Sequence, residues 1–421
     1  MDWCTADCCV KRDIKILISN RLSFSCVSLL DGLYVRPFFL LGRVNMQLFY
    51  IIFLIGLACF SQSLKAADNL LLVSIDGLRW QEVFRGYQDD VLNLDVFQAK
   101  KAGLEKEFSG KTALQKRQKL MPFLWQVVSK QGVIIGNRDK QSTMLLSNHL
   151  WFSYPGYNEL LTGKTDPKIT SNQASENSNV TFLEWLNVQQ KYQSQVAAFG
   201  SWDVFPAILN RARSQISINA GFESAQWSDL SEKAQWLNEL QRQIPSPWHN
   251  VRLDAFTAGF AKEYILAHQP KVIYLALGET DDFAHQGNYP AYLRSANRAD
   301  QFIARLWALL QSIEQYKGNI NLVITVDHGR GNTADTWQHH GSAEAIRGYL
   351  HELKQHQDGI LGADEIWLAA MGPDVKRLKE MQHTQPFRLD QVAATALQLL
   401  DLDHHQFTKD MGQPIPIVKQ R

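Results

Sequence analysis

The stretch LLLVSIDG at residues 70–77 is the clearest indication of the fold. It is a run of apolar residues that ends in an aspartate and a glycine. Two later stretches have the same form: VIYLALGETD at 272–281 and NLVITVDHG at 321–329. Runs that are apolar on both faces are typical of strands covered by helices on both sides. The three stretches therefore predict a buried sheet whose strands end in acidic and histidine residues.

Helical patterns alternate with these and with further apolar runs. We predict strands at 70–75, 132–135, 195–199, 272–277, 321–326 and 365–370, and helices at 120–130, 181–190, 252–268, 292–315 and 389–400. This alternation predicts an α/β fold, with a doubly wound, mostly parallel sheet and helices on both faces. The segment 203–250 is rich in Trp, Gln and Ser without a clear period, and we interpret it as an inserted cap region over one edge.

The composition is that of a globular protein, with 45% hydrophobic and 20% charged residues, which excludes disordered, collagen-like and coiled-coil chains. The net charge of +1 shows no basic excess that would indicate a nucleic-acid polymer as partner. All five cysteines lie near the N-terminus: Cys4, Cys8, Cys9, Cys26 and Cys59. The rest of the chain therefore cannot hold a disulfide or a cysteine-ligated metal.

The N-terminus has the pattern of a targeting segment. The run LFYIIFLIGLACF at 48–60 is apolar and uncharged, and small residues follow as far as Ala67. It is shorter than the roughly 20 residues that a membrane span needs, and it favours a cleaved signal peptide at about 46–66. We expect residues 1–66 to be an upstream extension plus this signal peptide, and 67–421 to form one periplasmic or secreted domain without a membrane span. The alternatives are a lipoprotein anchor at Cys59 and a buried apolar helix.

Acidic and histidine side chains follow several of the predicted strands. These residues are Asp76, Asp281, His285, Asp327, His328, His339 and His340. Ligands of such sheets bind beyond the carboxyl ends of the strands, so these side chains should meet at one rim. Each has an ordinary alternative, because an Asp-Gly pair often forms a turn and an Asp and a His four residues apart can pair on a helix surface. Their convergence favours two sets of three ligands made of carboxylates and imidazoles, which zinc accepts.

A hydroxyl nucleophile is also available. The segment WFSYPGYNELLTG at 151–163 places Ser153 two residues before a proline, at the start of a short helical stretch that ends at Gly163. Amide groups at a helix start point outward and favour an oxyanion, so a serine at this position can be ionised beside a metal. The alternative is that Ser153 only caps the helix.

The order and spacing of these segments resemble the alkaline phosphatase superfamily, and within it the bacterial type I phosphodiesterase/nucleotide pyrophosphatase branch. The matching segments run in family order over about residues 70–415: LLLVSIDGLRW, FSYPGYNELLTG, LGETDDFAH, VITVDHGRG, WQHHG, ADEIWLAAMGPDV, LDQVAATALQLLDL and DMGQPI. The resemblance implies two divalent metal ions, with zinc favoured by the ligand types. It assigns Asp281, His285 and His340 to one ion, and Asp76, Asp327 and His328 to the other.

The resemblance further implies an exported phosphodiesterase that acts on small phosphate esters, with Ser153 attacking phosphorus to form a phosphoseryl intermediate. It implies an asparagine that donates to the phosphoryl oxygen, for which Asn172 is the candidate and Gln173 and Asn177 are close alternatives. It prefers His340 over His339 because Gly341 follows directly. The branch usually has threonine as its nucleophile, whereas serine is usual in the monoesterases of the superfamily. Phosphomonoesterase activity is therefore the alternative.

Three other functions fit the sequence less well. A sulfatase would need arginine where Tyr157 stands, a phosphomutase would not need a leader, and a non-catalytic metal-binding scaffold would not need every ligand. Arg79 and Arg330 each follow a ligand segment, so each could bind a substrate phosphate or sugar or lie on the surface.

Overall fold

The computed structural model describes residues 66–420. The predicted upstream extension and signal peptide lie outside the described residues, except for Ala66. Within the described range, no helix combines the length and the apolar character that a membrane span requires.

Eight strands form the main sheet, in the order β10-β2-β9-β7-β1-β6-β4-β5, and three short ones form a second sheet, in the order β11-β3-β8. The strands are β1 (Asn69–Ile75), β2 (Val133–Ile135), β3 (Met144–Leu145), β4 (Val196–Gly200), β5 (Ser217–Ala220), β6 (Val272–Leu277), β7 (Ile320–Thr325), β8 (Glu365–Ile366), β9 (Leu368–Met371), β10 (Lys379–Glu380) and β11 (Phe387–Arg388). Only β9 runs antiparallel to its neighbours in the main sheet of the described chain. The prediction of a mostly parallel α/β sheet is therefore confirmed.

The three strands that the opening sequence stretches predict lie side by side at the centre. Every residue of β1, β6 and β7 is buried, as continuous apolar runs require. In the parallel register Ile75 is opposite Leu277, and Ser74 is opposite Thr325. The residues that follow the three strands therefore emerge at the same rim of the sheet.

Helices cover both faces of the sheet. They are α1 (Trp80–Arg85), α2 (Asp89–Leu92), α3 (Gln98–Phe108), α4 (Ala113–Leu120), α5 (Ser129–Gln131), α6 (Ser153–Thr162), α7 (Phe182–Asn187), α8 (Phe205–Ile208), α9 (Arg211–Ser214), α10 (Glu232–Gln243), α11 (Asp254–His268), α12 (Glu279–His285), α13 (Tyr289–Ser312), α14 (Ala343–Arg347) and α15 (Gln391–Leu399). A π-helical segment, Leu124–Val128, precedes α5. Short 3-10 helices lie at Asp95–Phe97, Arg138–Lys140, His351–Leu353 and His404–Gln406.

Two segments differ from the predicted elements. The run predicted as one strand at 365–370 is divided into β8, which pairs with β3 in the second sheet, and β9, which pairs with β2 and β7 in the main sheet. The buried Trp367 between them donates its indole N–H to the carbonyl oxygen of Leu78. The segment 203–250, interpreted as a cap, adds the edge strand β5 to the main sheet and the helix α10, which packs against α11. Strand β5 has only four residues and two of them are not buried, so its sequence carries no apolar run.

Candidate active site

The rim beyond β1 and β7 gathers a first cluster of predicted ligands. The Nε2 atom of His328 lies 3.3 Å from Oδ1 of Asp76 and 3.5 Å from Oδ2 of Asp327. One potential ligand atom from each of these residues lies within 4.8 Å of the others, and all three side chains are buried. The cluster forms because β1 and β7 are neighbours, so the residues after them are brought together from about 250 positions apart in the chain.

A second cluster lies beside the first, at the end of β6. The Nε2 atom of His285 is 3.1 Å from Oδ2 of Asp281 and 3.0 Å from Nε2 of His340. Asp281 and His285 are one helical turn apart on α12, which begins directly after β6. The two clusters are in contact, because Oδ1 of Asp281 in the second is 3.6 Å from Nε2 of His328 in the first. The neighbouring His339 instead packs its ring against His356, at 5.6 Å between centroids.

The donor atoms of the clusters suit divalent cations. Oδ1 of Asp76 and Oδ2 of Asp327 are buried without a hydrogen-bond partner in the described chain, which is costly unless a cation satisfies them. Nδ1 of His328 is 2.8 Å from the carbonyl oxygen of Gly329 and donates to it, which leaves the Nε2 lone pair directed at the cluster. Carboxylate oxygens and imidazole nitrogens form the ligand sets of zinc sites that lack cysteine.

Without a cation, the first cluster is electrostatically crowded. Burial and the neighbouring Asp76 carboxylate raise the pKa of Asp327 well above its ordinary value, and burial and Asp281 likewise raise the pKa of Asp76. Burial alone would lower the pKa of His328, but the carboxylates of Asp327 and Asp76 outweigh it and raise that pKa to about 9. Binding of a cation to these side chains would therefore displace the protons that they hold in the metal-free protein.

Asp281 differs from the other two carboxylates because a cation already contacts it. Nη2 of Arg330 donates to Oδ1 of Asp281. Burial would raise the pKa of Asp281, but the Arg330 guanidinium and the imidazoles of His285 and His340 together outweigh burial and hold that pKa well below its usual range. The next residue, Asp282, has a pKa raised to about 9, first by burial and then by Asp281.

Ser153 lies at the edge of the first cluster. Its Oγ atom is 3.3 Å from Nε2 of His328, and its side chain is buried. Ser153 is the first residue of α6; the residue before it is the N-cap, Phe152, which makes no side-chain cap, so the alternative that Ser153 caps the helix is wrong. Helix α6 approaches closely because Gly156 has no side chain: a Cβ there would lie 2.2 Å from the carbonyl oxygen of Asp327.

The candidate phosphoryl donor Asn172 is held against the start of α6. Its Oδ1 accepts a hydrogen bond from the backbone N–H of Tyr154 at 2.9 Å, so the residue after Ser153 fixes the amide. In the described chain Nδ2 of Asn172 makes no hydrogen bond and is left as a donor. Nearby Asn177 is buried and donates to Oδ1 of Asn158 instead, while Gln173 is exposed.

Sequence reasoning missed residues that hold the first cluster in place. The hydroxyl of Tyr157 donates to Oδ2 of Asp76 at 2.9 Å, and Oγ1 of Thr280 donates to the backbone carbonyl oxygen of Asp76 at 2.5 Å. A signal for Tyr157 was available, because a residue four positions after Ser153 lies on the same face of a helix.

The two arginines considered from the sequence are both fully buried, so a surface role is wrong for either. Arg79 pairs with Glu82 and donates to the carbonyl oxygen of Gly331 at 2.6 Å. Arg330 pairs with Asp281. Each guanidinium thus already donates to protein acceptors, although Nε of Arg330 has no partner in the described chain.

Comparison with known proteins identifies the family. The model of the type I phosphodiesterase/nucleotide pyrophosphatase family matches residues 124–414, more than two thirds of the chain. The chain belongs to this family. Members of the family are phosphoester hydrolases, so the chain is an enzyme of that class. No relative was found among curated proteins.

Solved structures agree on the fold. The wild-type alkaline phosphatase PafA is 12% identical, with a TM-score of 0.50 over 85% of this chain and 100% of that one. A PafA variant with four substitutions is also 12% identical over the same shares and has a TM-score of 0.51. The phosphonate monoester hydrolase SpPMH from Silicibacter pomeroyi is 13% identical over 84% of this chain and 78% of that one, with a TM-score of 0.45. The likeness to the two PafA structures shows an alkaline phosphatase-like fold and nothing finer. Enzymes of this superfamily depend on metal ions. Two groups at the rim of the described chain bring three potential ligand atoms within 4.8 Å of one another: Asp76, Asp327 and His328 in one, and Asp281, His328 and His340 in the other, where His328 stands in place of the predicted His285.

Proposed function

We propose that the chain is an exported hydrolase of small-molecule phosphate esters, a phosphodiesterase that uses two divalent metal ions and a phosphoseryl intermediate. The observation that carries this proposal is the Oγ atom of Ser153 at 3.3 Å from Nε2 of His328, beside carboxylate oxygens of Asp76 and Asp327 that accept no hydrogen bond from the described chain. Residues 67–421 would form the catalytic domain. Phosphomonoesterase activity is the second candidate, because serine stands where the branch usually has threonine.

The residues have separate roles in this proposal. Asp76, Asp327 and His328 hold one ion, and Asp281, His285 and His340 hold the other. Two such ions supply charge stabilisation to the attacking and leaving oxygens of an in-line displacement. Ser153 attacks phosphorus, and the ester oxygen leaves. Attack by water on the phosphoseryl intermediate then restores the hydroxyl and releases a phosphate monoester from a diester substrate, or inorganic phosphate from a monoester.

Asn172 supports the same chemistry from beside the start of α6. Because Tyr154 fixes its carbonyl oxygen, its Nδ2 group is oriented before substrate arrives. A donor held in place in this way stabilises charge on a phosphoryl oxygen without reorganising during the reaction. Zinc is favoured over magnesium because three of the six ligands are imidazoles.

The first test is the ratio of kcat/KM for bis-p-nitrophenyl phosphate to that for p-nitrophenyl phosphate. We expect the zinc-loaded full chain to hydrolyse at least one of them and the chelator-treated protein to hydrolyse neither. A ratio above one identifies a phosphodiesterase, and a ratio below one a phosphomonoesterase. Zinc bound at both clusters with no hydrolysis of either ester would contradict the proposal.

A second test concerns the hydroxyl of Tyr157. Tyr157→Phe leaves Oδ2 of Asp76 without its donor, so we expect zinc affinity to fall about tenfold, as for other residues that orient a ligand. The ring still packs against Phe205, at 4.8 Å between centroids, so the fold should be kept. Affinity is measured by competition with a chelator. Tyr316→Phe is the matched control, because that buried hydroxyl donates to the carbonyl oxygen of Pro270 at the opposite end of the sheet. Equal affinities in the two variants would show that Tyr157 does not support the ligand.

A further inference from the structure

Arg330 is a buried cation inside the candidate active site. Its side chain is 0% exposed, and its guanidinium contacts separate segments of the rim. Nη2 donates to the main-chain carbonyl oxygen of Asp281 at 3.1 Å and to Oδ1 of the same residue, and Nη1 donates to the carbonyl oxygen of Gln338. Nε has no partner in the described chain, and it would lie 2.8 Å from a Cβ on Gly77. The guanidinium therefore lies between the strand ends that carry the acidic ligand candidates.

The close approach of Arg330 to β1 depends on a glycine. Gly77 has φ of +58°, a conformation that residues with side chains rarely adopt, and a Cβ there would be 2.8 Å from both Nε of Arg330 and Oδ1 of Asp281. The turn after β1 therefore lies so close to the Arg330–Asp281 pair that only glycine fits at position 77 without a shift. A surface arginine would not need such space.

The charge of Arg330 changes the balance of the whole site. With Ser153 as its neutral hydroxyl, the three carboxylates of Asp76, Asp281 and Asp327 would face two proposed divalent ions, which leaves about one net positive charge, and Arg330 raises it to about two. A phosphomonoester carries about two negative charges near pH 8, whereas a phosphodiester carries about one. In a buried site a unit charge acts over several ångströms with little screening. The balance with Arg330 therefore complements a dianion.

We propose that Arg330 is a positioning residue that sets the charge preference of the site, favouring dianionic phosphoryl groups over monoanionic ones. It does so by holding Oδ1 of Asp281 while its own charge remains beside the clusters. This inference rests on the second candidate of the proposed function, phosphomonoesterase activity, and names phosphate monoesters as the preferred substrate class over diesters. It does not require Arg330 to touch the substrate.

Two variants separate the charge of Arg330 from its role as a brace. Arg330→Gln removes the charge and keeps an amide donor, while Arg330→Lys keeps the charge and loses the planar fork. The substrates are p-nitrophenyl phosphate and bis-p-nitrophenyl phosphate, which share a leaving group. We expect Arg330→Gln to lower the monoester-to-diester ratio of kcat/KM about tenfold. Arg330→Lys should keep the ratio within about threefold of wild type even if both rates fall.

Equilibrium binding gives a measure that does not depend on turnover. Inorganic phosphate is mostly a dianion at pH 8, and dimethyl phosphate is a monoanion. Titration calorimetry of the zinc-loaded chains should show phosphate binding about tenfold more weakly to Arg330→Gln than to wild type, with dimethyl phosphate changed by less than about threefold. Zinc content, measured by mass spectrometry, should be equal in all three proteins.

Equal losses for both esters and both anions would overturn the inference and leave Arg330 as a structural brace. If Arg330→Gln does not fold or takes up less zinc, the affinities of wild type for the two anions test the inference. Dimethyl phosphate binding to wild type as tightly as phosphate would contradict a dianion preference. If zinc-loaded wild type hydrolyses neither ester, the proposed function fails, and the anion-binding comparison still decides the role of Arg330.

Discussion

Ser153→Ala should lower kcat by about four orders of magnitude or more, while zinc content stays at the wild-type level. The substitution removes the Oγ atom 3.3 Å from His328 and changes nothing else, because Ser153 does not cap α6. Initial rates with both nitrophenyl esters measure the loss. Acid quenching of wild type during turnover, followed by mass spectrometry of the peptide around residue 153, should show one added group that the variant lacks: a phosphoryl group from the monoester or a nitrophenyl-phosphoryl group from the diester.

Ser153→Thr is the matched control for this experiment. Threonine keeps the hydroxyl, so a nucleophile at this position should retain measurable turnover and the phosphorylated peptide. Full activity in Ser153→Ala would remove the nucleophile assignment. Loss of zinc in that variant would instead show that Oγ contributes mainly to metal binding, so metal analysis has to accompany the rates.

The sequence predicts the centre of this fold well because burial there is complete. Strands β1, β6 and β7 are buried along their whole length, so their runs are apolar without interruption and their ends are sharp. The rule that ligands bind beyond parallel strand ends then brought Asp76 and Asp327 to one rim without any knowledge of their contacts. The strand β5 could not be predicted in the same way, because half of its four residues are not buried and it lies at the edge.

The residues that support the site could not be predicted from the sequence, for a different reason. Tyr157 and Asp76 are 81 positions apart, and only the packing of α6 against the sheet brings the hydroxyl to the carboxylate. Arg330 follows His328 by two positions, which suggests proximity to the site but not burial or the pairing with Asp281. Apolar periodicity reports which face of an element is buried, and it carries no information about which polar groups meet there.

Asp327→Asn should have opposite effects on the stability of the metal-free and the zinc-loaded protein. In the metal-free protein the buried Asp327 carboxylate is crowded by Asp76, and asparagine removes that repulsion while its Oδ1 can still accept the hydrogen bond from the N–H of Gly77. We expect an increase of about 1–2 kcal/mol in the free energy of unfolding at neutral pH. With zinc, the same substitution removes a proposed ligand, so one bound ion and most of the zinc-dependent rise in Tm should be lost.

The pH dependence gives this prediction a definite sign. Because the pKa of Asp327 is raised in the folded protein, the metal-free wild type is favoured at low pH and loses stability as the pH rises above about 4, the value of an unperturbed carboxyl. The increase in the free energy of unfolding that Asp327→Asn gives to the metal-free protein should therefore be small near pH 4 and larger at pH 7. Thermal unfolding in chelator at both pH values measures it.

Asp300→Asn distinguishes a metal ligand from a buried aspartate that only supports the fold. The Asp300 carboxylate accepts the backbone N–H groups of Phe123 and Leu124 at 2.8 Å, and burial raises its pKa to about 7. Asparagine can accept only one of these bonds and turns its NH₂ group towards the other, so Tm should fall by the same amount in chelator and in zinc. If Asp327→Asn behaves like Asp300→Asn, with equal losses in both conditions, the carboxylate of Asp327 supports the fold rather than a metal ion. A metal ligand that is crowded when its cation is absent should give a different pattern: its substitution raises Tm in chelator and lowers Tm in zinc.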